Sequence, residues 1–214
     1  NMGTTMFGSV DNPDDYTSAL EKHNVTYRLH IDGAYGGFVY PFSNQKSNIN
    51  FSNPKISSIT IDAHKMLQAP YGTGVFVCRK GLIENVLTKE AEYVEGMDLT
   101  LCGSRSGANA VAVWMILFTY GAYGWFEKVS ILQMRTQFLC NELDHLNIKY
   151  FREPFMNIVT IHSESIPEKI AEKYDLVPQQ HNENNKWYKI VLMDHVEVEH
   201  LTKFIDELKA SVNG

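Results

Sequence analysis

Alternation of apolar and polar positions predicts two β-strands in the first third of the chain. Residues 25–31 and 56–61 are short runs rich in β-branched side chains, which favour a sheet. The first run is followed directly by Asp32, and the second ends shortly before the pair His64-Lys65. Both predicted strands therefore deliver ionisable side chains at their carboxyl ends, where the ligand sites of α/β sheets are usually built.

Capping residues and apolar spacing predict five helices, one of which begins near Pro167. Asn12, with a proline and two acids behind it, is typical of a helix start and predicts a helix over residues 13–21. The very apolar run over residues 108–120 predicts a buried helix and is too short to span a bilayer. Residues 125–146 and 198–212 each place apolar side chains on one face, as amphipathic helices do.

The order of these elements predicts two domains. Further short strands are expected over residues 75–78, 157–162 and 187–193. Residues 1–124 then form part of an α/β domain, and residues 125–214 form a small α+β domain attached through a long helix. Residues 1–5 resemble the end of a strand and its turn, so we expect the sequence to begin inside a domain.

Composition and charge exclude several classes of function. The chain has 214 residues, a net charge of −6 and a pI near 5.7, so it has no basic stripe for nucleic acid. Its three cysteines, Cys78, Cys102 and Cys140, are odd in number and lack the CxxC spacing of zinc sites. We therefore expect no metal site, no membrane segment and a location in the reducing cytoplasm.

The groups at the two strand ends indicate one particular chemistry. An amine such as Lys65 can form a Schiff base, and a carboxylate such as Asp32 can hold the proton of a pyridinium nitrogen. Pyridoxal 5'-phosphate (PLP) uses both groups, and the small residues Gly33 and Ala34 leave room for its flat ring. Each residue also has an ordinary alternative: a solvated lysine, an aspartate in a turn, or a structural histidine at His64.

Four motifs give the chain a resemblance to a known family. They are GTT at residues 3–5, HIDGAYGGF at 30–38, DAHK at 62–65 and GSRSG at 103–107. In this order they resemble the group II PLP-dependent decarboxylases, which act on glutamate, aromatic amino acids, histidine or serine, and the histidine/serine branch looks most similar. The resemblance implies a PLP-dependent transferase-like α/β fold (aspartate aminotransferase fold type I), here a partial large domain with the C-terminal α+β small domain.

The resemblance also implies roles for individual residues. Lys65 would carry PLP as a Schiff base, His64 would lie against the phosphate, and Asp32 would bind the pyridine nitrogen. The remaining cofactor contacts would be Ala34 on the ring face, Thr5 near the ring, and Ser104 at a phosphate, in this or a partner subunit. Lys65, Asp32 and His64 are thus the expected catalytic residues.

The implied reaction is decarboxylation of an L-amino acid to its amine and CO2 in a cytoplasmic homodimer. The first alternative is an aldehyde lyase on the same fold, and the second is an inactive fragment. Members of the family carry, upstream, a phosphate-binding loop and a histidine that stacks on the ring, and this chain contains neither motif. Several relatives also have a long loop with a catalytic tyrosine, for which Tyr93 is the only candidate between residues 79 and 103.

Overall fold

The computed structural model describes residues 1–86, 105–179 and 186–212, which form two β-sheets with helices around them. The helices are α1 (Pro13–Lys22), α2 (Tyr40–Ser43), α3 (Gly107–His145), α4 (Glu168–Lys173) and α5 (Val198–Val212). The strands are β1 (Leu29–Asp32), β2 (Ile56–Asp62), β3 (Gly74–Cys78), β4 (Tyr150–Phe151), β5 (Ile158–His162), β6 (Val177–Pro178) and β7 (Trp187–Val191). Short 3-10 helices cover Gly36–Phe38, Ile83–Val86 and Ser163–Ser165. The predicted α/β class is confirmed.

The first sheet has the order β1-β2-β3 and brings the two predicted site strands side by side. β1 runs parallel to β2, with Asp32 opposite Thr60, and β3 is antiparallel to β2. β1 begins at Leu29 rather than at residue 25 as predicted, because its partner strand begins only at Ile56, opposite Leu29. The carboxyl ends of β1 and β2 consequently meet at one edge of the sheet.

The second sheet has the order β4-β5-β7-β6, with every neighbouring pair antiparallel. It forms one buried core with α4, α5 and the second half of α3. Burying a large aliphatic side chain contributes roughly 1.5–3 kcal/mol. The fully buried members of this core are Leu139, Leu143, Val159, Ile161, Leu192 and Leu208.

The element α3 consists of two helical segments that meet at Gly121, in agreement with the two helices predicted over residues 108–120 and 125–146. Its backbone is non-helical at Gly121 (φ 56°, ψ −174°), so the ladder of hydrogen bonds is interrupted and the helix kinks there. A Cβ at Gly121 would meet nothing within 4 Å, so the positive φ rather than lack of space calls for glycine. The apolar stripe predicted for the second half is buried at Trp125, Val129, Leu132, Leu139 and Leu143.

The prediction that residues 108–120 form a buried helix is wrong about burial. Trp114 is 60% exposed and Phe118 is 75% exposed, and their rings stack with centroids 5.2 Å apart. Only a narrow side of the helix, with Val113 and Ile116, packs against a buried cluster. The opposite side faces away from the described part of the chain, so apolar composition alone does not bring burial. Within the described ranges, none of the helices combines the length and hydropathy needed to cross a membrane.

The two predicted domains, residues 1–124 and 125–214, share buried contacts. One hydrophobic cluster contains members of both: Val39, Met66, Val129, Leu132 and Met156. This cluster holds the first sheet against the second half of α3 and the second sheet. The division at residue 124 itself stays a prediction.

The N-terminal segment crosses the edge of the first sheet. The Met2 amide donates to the Asp32 carbonyl at 2.7 Å, and the Gly36 amide donates to the Met2 carbonyl at 3.0 Å. A Cβ at Gly36 would lie 2.2 Å from the Met2 carbonyl oxygen, a distance that real contacts do not reach. Gly36 therefore allows the close approach that brings residues 3–5 beside Asp32.

We predict that Gly36→Ala lowers the free energy of unfolding by about 1–3 kcal/mol, because the new methyl group must push the N-terminal segment away. The control is Gly107→Ala at the start of α3, where a Cβ meets nothing within 4 Å and the stability should stay equal or rise slightly. Urea unfolding followed by circular dichroism measures both variants. Equal midpoints for Gly36→Ala and the parent chain would contradict the prediction.

Candidate active site

A cavity of about 350 Å³ lies where the edge of the first sheet faces the second sheet, a volume typical of small-molecule sites. Its walls come from the N-terminal segment, the loop after β1, the turn after β2, and strands β5 and β7. Residues of chemical interest in the lining are Thr5, Asp32, Ala34, Tyr35, Lys65 and Lys189. Three larger grooves among the described residues, of about 890, 640 and 620 Å³, contain none of the predicted site residues.

Asp32 ends β1 with its side chain exposed toward the cavity. Its Oδ1 accepts a hydrogen bond from the Ala34 amide at 3.0 Å, which orients the carboxylate. Its Oδ2 has no protein donor within the described ranges and is available to a ligand. The small side chain of Ala34 lines the cavity next to this carboxylate.

Lys65 reaches the same cavity from the tight turn after β2. The turn is closed by a hydrogen bond from the Lys65 amide to the Asp62 carbonyl (3.1 Å), and the Asp62 amide donates to the Ala34 carbonyl (3.0 Å). The Lys65 Nζ lies 3.0 Å from Asp62 Oδ2, and the lysine side chain is 40% exposed. An exposed ion pair of this kind contributes at most about 1 kcal/mol, so the amine can leave it for a ligand.

His64 lies beside Lys65 in sequence but does not line the cavity. Its Nδ1 lies 3.1 Å from the Thr73 carbonyl oxygen, and its ring packs against Tyr71 with centroids 5.1 Å apart. Because a carbonyl only accepts hydrogen bonds, Nδ1 carries a proton in this contact. The other nitrogen, Nε2, lies 3.8 Å from Asp62 Oδ2. These contacts hold the ring in one orientation.

Lys189 is a second amine in the cavity, and sequence reasoning missed it. It projects from β7, and its Nζ donates to the Thr5 carbonyl at 3.0 Å. Burial lowers the pKa of Lys189 below the usual value for lysine. The available signal was a single cation inside the apolar run of β7, Trp187–Val191.

Tyr35 and Asn157 form another contact that sequence reasoning missed. Tyr35 lines the cavity next to Ala34, and its hydroxyl donates to Asn157 Oδ1 at 3.0 Å. Burial raises the pKa of Tyr35, so its phenol stays protonated at neutral pH. The two residues are 122 positions apart, and no local pattern links them.

The structure brings four of the predicted site residues, Thr5, Asp32, Ala34 and Lys65, to one cavity. His64 lies outside its lining, and Ser104 and Tyr93 lie outside the described residues. The arrangement suits PLP: an amine can meet the aldehyde carbon, a carboxylate oxygen is available to a pyridinium nitrogen, and the alanine leaves space for a flat ring. The individual roles of these residues stay predictions.

Relatives of the chain are amino acid decarboxylases. The chain is 57% identical over 209 residues to the tryptophan decarboxylase of Clostridium sporogenes, covering 98% of this chain and 50% of that protein. It is 31% identical to a probable L-tyrosine/L-aspartate decarboxylase of Methanocella arvoryzae, covering 97% and 55%. It is 30% identical to serine decarboxylase 3 of Oryza sativa subsp. japonica, covering 99% and 46%. The chain thus spans about half the length of the curated relatives it matches.

Solved structures show the same fold at low sequence identity. A sphingosine-1-phosphate lyase from Burkholderia pseudomallei superposes with a TM-score of 0.81 at 18% identity, covering 99% of this chain and 50% of that one. Glutamate decarboxylase from Lactobacillus brevis gives 0.79 at 19% identity, covering 99% and 53%. These matches confirm the predicted fold class, as part of a larger fold-type I architecture.

The family comparison agrees with the motifs and with the cavity. The model of the pyridoxal-dependent decarboxylase conserved domain matches residues 1–151, which include every described residue predicted to contact the cofactor. The match confirms the resemblance and the pyridoxal cofactor predicted with it. The chain belongs to the pyridoxal-dependent decarboxylase family.

Proposed function

We propose that the complete protein removes the α-carboxyl group of an L-amino acid as CO2 and leaves the amine, with PLP in the cavity described above. The observation that carries this proposal is the convergence of Asp32, Ala34 and Lys65 on one cavity in a member of this family. When bound, PLP withdraws electrons from the substrate Cα and so permits the loss of CO2. The proposal concerns the complete protein, because the chain spans about half the length of its relatives.

Lys65 is proposed to hold the cofactor covalently through Nζ. Its position at the cavity wall supports this role, and so does its weak ion pair with Asp62, 3.0 Å away. When the amine is not bonded to cofactor, the Asp62 carboxylate accepts its protons and keeps it beside the cavity. Asp62 is therefore a positioning residue for Lys65.

Asp32 is proposed to accept the proton-bearing nitrogen of the pyridine ring at Oδ2. The hydrogen bond from the Ala34 amide to Oδ1 supports this role, because it orients the carboxylate before the ligand binds. An ionised partner keeps the ring nitrogen protonated and strengthens its withdrawal of electrons. Ala34 would lie against the ring face, and Thr5 near its edge.

Contacts to the phosphate are proposed for His64 and for Ser104, the latter from this or a partner subunit of a homodimer. His64 would reach the phosphate with Nε2, which lies 3.8 Å from Asp62 Oδ2, because the Thr73 carbonyl occupies Nδ1. We place the enzyme in the cytoplasm, which suits a chain with unpaired cysteines at Cys78 and Cys140.

The proposed substrate is an aromatic amino acid, with tryptophan first. Identity to the tryptophan decarboxylase is 57%, against 30% to the serine decarboxylase that the motifs had favoured. The aldehyde-lyase alternative has weaker support, because the likeness to sphingosine-1-phosphate lyase is at 18% identity and concerns the fold alone.

Borohydride reduction of the complete protein with PLP should fix the cofactor on the peptide that contains Lys65. Peptide mass spectrometry identifies the site, and Lys65→Ala should lose the label. Lys189 is the informative competitor, because its Nζ lines the same cavity. Labelling of Lys189 in the unmutated protein, with Lys65 unlabelled, would contradict the assignment.

Replacing Asp32 by Asn should lower kcat by about 10²–10³-fold, because the ring nitrogen loses its ionised partner. The matched control is Asp206→Asn, an exposed carboxylate on α5, which should leave kcat unchanged. Both variants should still be labelled at Lys65 after reduction. A kcat for Asp32→Asn within about threefold of the parent value would reassign Asp32 to a structural turn role.

Carboxyl-labelled tryptophan, tyrosine, histidine, serine, glutamate and aspartate distinguish the substrates and the reaction class. We expect release of labelled CO2, fastest from tryptophan, with the corresponding amine detected by chromatography. Aldehyde formed from a phosphorylated amino alcohol, without CO2 from any amino acid, would support the lyase instead. Faster release from serine or histidine would retain the reaction and overturn the proposed substrate.

A further inference from the structure

A chain of hydrogen bonds runs from the cavity wall to the end of β7. The Tyr35 hydroxyl donates to Asn157 Oδ1 at 3.0 Å, and Asn157 Nδ2 donates to the Leu192 carbonyl at 2.9 Å. The backbone strengthens the second link, since the Leu192 amide donates to the Asn157 carbonyl at 2.9 Å. Asn157 is fully buried, so bulk water cannot take the place of a hydrogen-bond partner that it loses.

The direction of these bonds follows from their partners. The Leu192 carbonyl only accepts, so the nitrogen of the Asn157 amide must face it and the oxygen must face Tyr35. The phenol is therefore the donor in the Tyr35–Asn157 bond. Burial raises the pKa of this phenol, which favours the protonated form that donates.

The same network links the loop after β1, the turn after β2 and the end of β7, three segments that line the cavity or adjoin its lining. Tyr35 belongs to the loop that follows Asp32 at the end of β1, and Leu192 directly follows β7, which carries Lys189. The Asn157 amide nitrogen also lies 4.0 Å from the sulfur of Met66, the residue after Lys65. The fully buried amide thus stands at the junction of the three segments that supply the carboxylate and the two amines.

We propose that Tyr35 and Asn157 are positioning residues that hold the β7 wall of the cavity at a set separation from Lys65 and Asp32. This inference rests on the proposed function, because the separation of the walls matters only when a ligand lies between them. Loss of the phenol hydroxyl lets the walls move apart. Cofactor and substrate are then held less tightly, while Lys65 keeps its reactivity.

The test is Tyr35→Phe in the complete protein, which removes the hydroxyl and keeps the ring. The control is Tyr150→Phe, whose hydroxyl bonds to Asp144 at 3.2 Å outside this cavity. We expect the PLP dissociation constant and KM to rise roughly three- to tenfold for Tyr35→Phe, with kcat changed less than twofold. The circular dichroism of the bound cofactor in the visible range should also weaken, and Tyr150→Phe should match the parent in all three measurements.

The outcomes separate this inference from the proposed function. Failure of the unmutated protein to bind PLP at Lys65 would overturn the proposed function and, with it, this inference. Normal labelling at Lys65 with parent values of KM, PLP affinity and visible dichroism in Tyr35→Phe overturns the inference alone, even if the melting temperature falls. If Tyr35→Phe does not fold, the same measurements on the double variant Tyr35→Phe/Asn157→Leu decide, because it replaces both partners of the bond by apolar side chains of similar shape and leaves no unpaired amide oxygen against the ring.

Discussion

Parallel pairing of β1 with β2 is the constraint on which the candidate site depends. The pairing continues past the end of β1, since the Gly33 amide donates to the Thr60 carbonyl and the Asp62 amide donates to the Ala34 carbonyl. These bonds bring the loop that bears the carboxylate next to the turn that bears the lysine. Side chains alternate between the faces of a sheet, so a shift of one residue in this register would send one of the two groups to the wrong side.

The opposite wall of the cavity depends on contacts between segments that are distant in sequence. The ring of Phe7 packs edge-on against Phe151 and Trp187, with centroid distances of 5.7 and 5.6 Å. Lys189 bonds to the Thr5 carbonyl in the same region. The N-terminal segment is therefore held between the two sheets, and each sheet positions the groups contributed by the other. The cavity therefore forms only when the two sheets pack together.

Local patterns predicted much of this structure because most of its elements carry their own signal. The alternating run before His64 and the capped start at Asn12 both correspond to observed elements, and the motifs led to Asp32 and Lys65. Periodicity reports which face of an element is apolar, but it does not report what covers that face. The exposure of residues 108–120 was missed for that reason. Packing of the second sheet on the first brings three further residues together, namely Tyr35, Asn157 and Lys189. No spacing in the sequence encodes that contact.

The kink at Gly121 has a consequence for how the long helix unfolds. Residues after the kink contribute to the main hydrophobic cores, whereas residues before it bury only one narrow side. The interrupted hydrogen-bond ladder removes the mechanical link that would make the helix one cooperative unit. Amide protons before Gly121 should therefore exchange with solvent through local opening, while those after it exchange only when the second-sheet core opens. The two segments of α3 on either side of Gly121 thus differ in local stability.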